Sequence, residues 1–296
     1  MTLPNFIGLG AAKAGTTTLH DILIQHPDIF LPSLKESHFF DCPEYYDKGH
    51  GWYEKEIFGD YAHQKAIGEI TPSYLYFDHV PERIYRLLGN RTKLICMFRN
   101  PMDRAYSHYL MMRRRGHEKE SFEKAIGLEE ERVKKGFYPG MRFSYIGSGL
   151  YATQIKRYLN YFPKENMFFI VFEEDFIKNR GVTITKLLDF LGVKGMELNL
   201  NIRSNPASYP KISFLNSLMF SPNPLKRAAK ALVPSLALRR NIKSVIDGMN
   251  QTSHIFEKLD NDTKALLLKK YFSREIRELE EITGRDLRLW TAGNER

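Results

Sequence analysis

The chain has 296 residues, enough for one large α/β domain or two small ones. Its composition, 43% hydrophobic and 13% aromatic, is typical of a well-packed soluble globular protein. No apolar run approaches the roughly 18 residues of a membrane span, no secretory leader is visible, and two cysteines are too few for a disulfide framework. We therefore expect a cytoplasmic protein without a transmembrane segment, and leave peripheral contact with a membrane open.

The formal net charge is +9, and it is concentrated in one segment. Residues 198–246 contain no Asp or Glu. Their basic residues are Arg203, Lys211, Lys226, Arg227, Lys230, Arg239, Arg240 and Lys243. A local basic segment favours an anionic ligand, an anionic acceptor or a membrane surface as its partner, and we expect no nucleic-acid partner.

Predicted strands and helices alternate along most of the chain. In chain order, the predicted elements are a strand over 5–10, a helix over 16–26, a strand over 66–71, a helix over 80–88, a strand over 92–98, a helix from 101 that stops at Gly116, helices over 121–135 and 150–162, a strand over 167–172, and helices over 183–191 and 263–283. This order predicts an α/β fold with three layers, in which a mainly parallel central sheet is flanked by helices. We expect one domain over 1–296, in which the irregular segment 205–250 is a candidate basic lid or acceptor-side subdomain.

The stretch IGLGAAKAGTTTL resembles a nucleotide-phosphate loop between the first strand and the first helix, which makes the predicted fold P-loop NTPase-like. Gly10, Gly15 and Thr17 keep the spacing of G-x-x-x-x-G-K-[ST]. The lysine slot holds Thr16, however, and the lysine stands upstream at Lys13. Backbone N–H groups and the positive end of the helix dipole would bind a phosphate here, and Lys13 suits a single phosphate with one transferable substituent and no bridging metal.

The segment KAGTTTL resembles the 5′-phosphosulfate loop of the sulfotransferases that use 3′-phosphoadenosine 5′-phosphosulfate (PAPS). The resemblance implies PAPS as the donor, 3′,5′-diphosphoadenosine (PAP) as the product, and transfer without a metal. The donor-binding residues that it implies in this loop are Lys13, Ala14, Gly15, Thr16, Thr17 and Thr18.

PAPS also carries a 3′-phosphate, so a second anion site is required, and FRNPMDRAYSHY is the candidate. Arg99 stands at the carboxyl end of a predicted strand, where open α/β sheets bind ligands, and Ser107 lies two turns into the next helix. An arginine fork with a hydroxyl suits a terminal phosphate. The pair matches the family's 3′-phosphate motif. We expect Arg113, Arg114 and Arg115, at the end of the same helix, to be solvated.

The segment PSLKESHFFDCPEYYDKGHGWY holds the candidate acid–base groups. Transfer to a hydroxyl or amine needs a base on the acceptor and positive groups on the transferring oxygens. Glu36 and His38 are two residues apart, so they would point to one side of an extended segment, and Asp41 could orient the imidazole. Lys35 could face either the donor or the acceptor.

The segments KESHFFD and GHGWY resemble motifs of the heparan-sulfate-type branch of the sulfotransferases and its bacterial relatives. In that branch the glutamate is the general base, and the histidine and aspartate support it. The resemblance therefore implies Glu36 as the base, with His38 and Asp41 as supporting residues. His38 is the rival base, because cytosolic small-molecule sulfotransferases use a histidine.

The segment GEITPSYLY resembles the EKTPxY motif of the glycosaminoglycan enzymes, but the lysine of that motif is Ile70 here. This departure weakens the case for a heparan acceptor and leaves Lys13 as the main cation at the bridging oxygen. The resemblance covers about residues 5–200. Beyond them, the late basic loops of the family imply Arg203 or Lys211 as a third donor contact.

These features predict a PAPS-dependent sulfotransferase whose acceptor is a carbohydrate, a lipid or a small natural product. One alternative is a P-loop kinase or phosphotransferase, which Thr16 in the lysine slot disfavours. Another alternative is a non-catalytic module that binds polyanions. The basic segment favours this alternative, but it gives no role to the motifs of the first 110 residues.

Overall fold

A parallel sheet of five strands lies at the centre of the fold. The computed structural model describes residues 2–202, 209–210, 251–252 and 258–292. The strands are β1 (Phe6–Gly10), β2 (Ile29–Phe30), β3 (Ala66–Ile70), β4 (Lys93–Phe98) and β5 (Met167–Val171). Their order is β2-β3-β1-β4-β5, and every neighbouring pair is parallel. Ile7 in β1 pairs with Glu69 in β3 and with Leu94 in β4.

Helices follow most of the strands and flank the sheet. The helices are α1 (Thr16–Leu23), α2 (Pro43–Tyr46), α3 (Gly49–Phe58), α4 (Val80–Leu88), α5 (Pro101–Arg114), α6 (Phe122–Gly127), α7 (Glu129–Val133), α8 (Phe137–Phe143), α9 (Tyr151–Leu159), α10 (Arg180–Leu191), α11 (Asn261–Leu267) and α12 (Ser273–Thr283). One π-helical segment spans Phe172–Lys178, and another spans Leu268–Phe272. The predicted α/β architecture is therefore confirmed.

The central strands are buried because both faces of the sheet are covered. All five residues of β1 are buried, as are five of the six in β4. A fully apolar strand of this kind is expected in a parallel sheet between two helical layers. Since the strands run the same way, the carboxyl ends of β1, β3 and β4 lie along one edge of the sheet, and the predicted anion-binding segments follow β1 and β4 at that edge.

The predicted helix over 121–135 is wrong in one respect, because it is two helices, α6 and α7, that meet at Leu128. The first residue of α7, Glu129, is tied to a distant segment, because its carboxylate accepts hydrogen bonds from the backbone N–H groups of Ile146 and Gly147 at 2.7 and 2.8 Å. The helix predicted over 16–26 ends at Leu23. The helix predicted over 263–283 is interrupted by a π-helical segment between α11 and α12.

The C-terminal segment packs against the start of α5. Lys264 forms an ion pair with Asp103 at 2.7 Å. Glu173 accepts hydrogen bonds from the backbone N–H of Asn100 at 2.9 Å and from Nε1 of the buried Trp290 at 3.0 Å. These contacts fix the turn that follows β4, where Arg99 stands.

Cys42 and Cys96 are both buried and do not form a disulfide. Within the part of the chain that the structure describes, no helix has the length and apolar character needed to cross a membrane. The candidate lid over 205–250 lies outside the described residues, apart from Tyr209–Pro210, which pairs in antiparallel fashion with Gln251–Thr252.

Candidate active site

The loop between β1 and α1 has a conformation that depends on its glycines. Gly10 and Gly15 have φ angles of 127° and 93°. A Cβ at Gly10 would lie 2.2 Å from the carbonyl oxygen of Pro72, and one at Gly15 would lie 2.8 Å from the Phe172 ring, so both positions require glycine. Gly15 is also the residue before α1. The first backbone N–H groups of α1, which an α-helix leaves without intrahelical partners, therefore face this loop.

Lys13 lies inside this loop, half-buried and with a φ of 74°. Its Nζ is 3.7 Å from Sδ of Met111. Burial, followed by the positive charges of Arg114, Arg115 and Arg99, lowers the pKa of Lys13 to about 7, while Glu36 acts in the opposite direction. Several positively charged side chains thus lie close together, and an anion bound among them would stabilise their charges.

We expect the affinity for PAP to fall about fivefold between pH 7 and pH 8, because a bound phosphate favours protonated Lys13 and so raises its pKa above the value of about 7 in the free protein. Binding should then take up a proton. In this window the phosphates of PAP are largely dianionic and arginine is cationic. Calorimetry at both pH values, in two buffers that differ in ionisation enthalpy, measures the affinity and the proton uptake.

Lys13→Arg is the matched control for this pH dependence, since arginine keeps its charge throughout the window. This variant should bind PAP with an affinity that does not change between pH 7 and pH 8. A wild-type affinity that is equally flat, without proton uptake, would contradict the assignment of Lys13 as the titrating group.

Arg99 reaches the same loop from the end of β4. Its Nη1 donates a hydrogen bond to the carbonyl oxygen of Lys13 at 3.0 Å, and its guanidinium lies 5.5 Å from the centre of the Phe172 ring. The structure therefore brings Arg99 and Lys13 together. Ser107 is half-buried on α5, and among the described residues no hydrogen bond joins its hydroxyl to Arg99. Arg203 and Lys211 lie outside the described residues.

Lys35 connects the loop with the candidate base. Its Nζ donates to Oγ1 of Thr17 at 3.0 Å and to Oε1 of Glu36 at 2.9 Å. Burial opposes the ionisation of Glu36, but the charges of Lys35 and His38, together with the hydrogen bond from Lys35, lower the pKa of Glu36 to about 2. Glu36 is therefore a carboxylate at neutral pH. Lys35 thus contacts both the donor loop and the candidate base, so it lies between the two orientations that the sequence leaves open.

His38 is paired with Asp41, as the spacing in the sequence suggests. Nδ1 of His38 lies 3.2 Å from both carboxylate oxygens of Asp41, which is fully buried. Asp41 also accepts a hydrogen bond from Oγ of Ser73 at 2.5 Å. The His38 ring meets the Phe137 ring edge-on at 6.1 Å, and Phe137 stacks on Phe77 at 5.1 Å. An aromatic wall thus lies beside the imidazole.

The backbone of the segment that carries these groups is unusual. Glu36 and His38 have φ angles of 61° and 57°, in the left-handed region that side chains other than glycine rarely adopt. Lys13 shares this property. Such conformations persist only where the surrounding structure imposes them, and they cluster at functional sites.

A buried carboxyl group, Glu69 at the end of β3, holds this segment in place. Burial raises the pKa of Glu69, although the four hydroxyl groups that donate to it oppose the shift. These donors are Ser37 at 2.5 Å, Tyr53 at 2.5 Å, Thr71 at 2.9 Å and Tyr74 at 2.9 Å. Since the Tyr74 hydroxyl also accepts from the backbone N–H of Phe40 at 3.2 Å, the network ties the segment between Glu36 and Asp41 to the sheet.

The expectation that Arg114 and Arg115 are solvated is wrong, because both are half-buried and both act on the charge of Lys13. Arg115 also lowers the pKa of Glu36. Arg113, by contrast, is exposed. Sequence reasoning missed the first two because the end of α5 lies beside the loop, as the contact between Met111 and Lys13, 98 positions apart, shows. The run of three arginines at the end of this helix was the available signal.

The described residues contain no group of three or more His, Cys, Asp and Glu side chains arranged to hold a metal ion. The side chains that converge on the loop are instead cations, together with one carboxylate. Such a set of groups suits the binding of phosphate or sulfate esters, with Glu36 beside them able to accept a proton.

The fold and the site together define an α/β protein with a glycine-dependent, cation-lined loop at the carboxyl edge of its sheet. A family model described as "Sulfotransferase domain" matches residues 4–213, which is more than half of the chain. The chain belongs to the sulfotransferase family, and the resemblance in its motifs is confirmed.

Similar proteins include human heparan sulfate glucosamine 3-O-sulfotransferase 5, which is 33% identical over 167 residues, covering 55% of this chain and 46% of that protein. Human heparan sulfate glucosamine 3-O-sulfotransferase 3B1 is 32% identical over 192 residues, covering 65% and 47%. The chain thus spans about half the length of these relatives. The crystal structure of a sulfotransferase from Alicyclobacillus acidocaldarius has a TM-score of 0.69 and 27% identity, covering 98% of this chain and 100% of that one.

Proposed function

We propose that the protein transfers a sulfuryl group from PAPS to a hydroxyl or amine of an acceptor, with Glu36 as the general base and without a metal. The observation that carries the proposal is the meeting of Lys13, Arg99 and Glu36 at one edge of the sheet. Arg99 contacts the backbone of Lys13, and Lys35 joins the loop to Glu36. Family membership supports PAPS as the donor.

The donor would be held at both of its anionic ends. The loop N–H groups, the hydroxyls of Thr16, Thr17 and Thr18, and the Lys13 ammonium would hold the 5′-phosphosulfate. Arg99 and Ser107 would hold the 3′-phosphate. A guanidinium has five N–H donors, so the bond from Arg99 to the Lys13 carbonyl leaves donors for a ligand.

The transfer would proceed in line. The acceptor oxygen or nitrogen forms a bond to sulfur, the bond between sulfur and the 5′-phosphate oxygen breaks, and its electron pair stays on PAP. The proton of the acceptor passes to the Glu36 carboxylate. Asp41 would keep His38 oriented beside this base. Holding donor and acceptor in register would supply much of the rate enhancement.

The acceptor class that we favour is a carbohydrate, with a lipid or a small natural product as the alternatives. The two human relatives are named for sulfation of the glucosamine of heparan sulfate. The aromatic wall of Phe137 and Phe77 beside His38 offers apolar ring faces to an acceptor. Because Ile70 replaces a lysine of the related motif, the acceptor need not be as anionic as heparan sulfate. The cytoplasmic location stays a prediction from the sequence.

A thermal-shift comparison tests the class of reaction. At about 100 times its dissociation constant, PAP should raise the melting temperature by about 4 °C, while Mg-ATP at the same concentration should leave it unchanged. Stabilisation by Mg-ATP that exceeds stabilisation by PAP would favour a phosphotransferase. Tight binding of a polyanion such as heparin without any response to PAP would favour a non-catalytic binding module.

A further inference from the structure

The Lys35 ammonium occupies the gap between the donor loop and the general base. It donates to Oγ1 of Thr17 on one side and to Oε1 of Glu36 on the other, at 3.0 and 2.9 Å. The Lys35 side chain is 19% exposed and that of Glu36 is 42% exposed. A cation with so little access to water interacts more strongly with a neighbouring anion than a surface lysine does.

In the proposed reaction, the sulfuryl group would pass through this gap. Thr17 belongs to the first turn of α1, which would face the 5′-phosphosulfate, and Glu36 would face the acceptor. In an in-line transfer the sulfur moves from an oxygen on the first side to an atom on the second. β3 contributes the apolar Ile70 at this edge of the sheet, and Ile70 is 2% exposed. The cation that contacts both Thr17 and Glu36 is Lys35, from the segment before Glu36.

We propose that Lys35 is a catalytic residue, whose ammonium binds the sulfuryl oxygens while sulfur passes from the 5′-phosphate to the acceptor; this inference rests on the proposed function. The contacts with Thr17 and Glu36 hold the ammonium between the donor loop and the base, where a sulfuryl oxygen in transit would meet its positive charge. The S–O bond to the phosphate breaks, the bond to the acceptor forms, and the acceptor proton goes to Glu36. Lys35 exchanges no proton and places its positive charge beside the reacting oxygens.

The role of Lys35 predicts a difference between two nucleotides, because PAPS carries the sulfuryl group and PAP does not. Lys35→Met removes the charge and keeps the length of the side chain. We expect its affinity for PAP to stay within about twofold of wild type, and its release of PAP from PAPS, with water as the acceptor, to slow at least about tenfold. Its affinity for PAPS should fall about fivefold.

Two further variants separate catalysis from folding. Lys35→Arg retains the charge and should recover most of the preference for PAPS over PAP. Lys55→Met removes an exposed lysine from α3 and should behave as wild type. Melting temperatures of all variants, with and without PAP, report whether the fold is intact.

Equal loss of affinity for PAP and PAPS in Lys35→Met, with a release rate within twofold of wild type, would overturn the catalytic role and leave the sulfotransferase proposal standing. A wild-type protein that binds neither nucleotide would overturn both. A Lys35→Arg variant as impaired as Lys35→Met, although folded, would also contradict charge stabilisation by this residue.

Discussion

Glu36→Gln is expected to lower turnover at least about 100-fold while leaving the affinity for PAP unchanged. Glutamine has the shape of glutamate but cannot accept the proton of the acceptor. The wild-type carboxylate, with a pKa of about 2, is a weak base towards water, so its contribution comes in the transition state, where the acceptor proton becomes acidic as the bond to sulfur forms. Turnover of labelled PAPS with an acceptor found by screening, and calorimetry with PAP, provide the two measurements.

The control for this prediction is Glu56→Gln, which changes an exposed carboxylate of α3 and should retain full turnover. His38→Asn is the informative second variant, because His38 is the rival base. If Glu36→Gln keeps its turnover and His38→Asn loses it, the base is His38. If both lose turnover, His38 acts with Asp41 as the support that the structure pairs with it.

Arg99→Ala is expected to weaken the binding of PAP about 100-fold, since it removes charge-assisted hydrogen bonds to the 3′-phosphate. Adenosine 5′-monophosphate lacks that phosphate, and its affinity should fall only about threefold through the lost contact with the Lys13 carbonyl. The ratio of the two losses, measured by calorimetry on the same protein preparation, separates 3′-phosphate recognition from support of the loop.

Arg91→Ala is the matched control, because Arg91 is an exposed arginine just before the other end of β4. It should bind both nucleotides as the wild type does. Equal losses for PAP and adenosine 5′-monophosphate in Arg99→Ala would assign Arg99 to the loop alone, and the 3′-phosphate site would then have to be sought elsewhere.

Much of the fold could be predicted because its strongest signals are local. α4 has the predicted bounds, with Pro81 in its first turn. α5 begins where Asn100 caps it, and the Asn100 side chain accepts from the N–H groups of Met102 and Asp103. Apolar runs bounded by turns gave β1, β3, β4 and β5 to within a residue at each end.

The features that the sequence could not supply depend on contacts between distant residues. α3 begins with a glycine-rich stretch of low helix propensity, and it is stabilised instead by Tyr53, which is fully buried and stacks on Phe39 at 4.1 Å. β2 has two residues and is defined only by its pairing with β3. The positions of Lys35 and Arg115 around the anion site likewise follow from packing and not from a motif.

The left-handed backbone at Lys13, Glu36 and His38 has a consequence for the evolution of this protein. Each such residue costs roughly 1 kcal/mol or more of folding free energy, and a glycine there would relieve the cost. Selection for heat tolerance alone would therefore favour glycine at the three positions that the proposed chemistry needs. The most stable descendants would then be inactive.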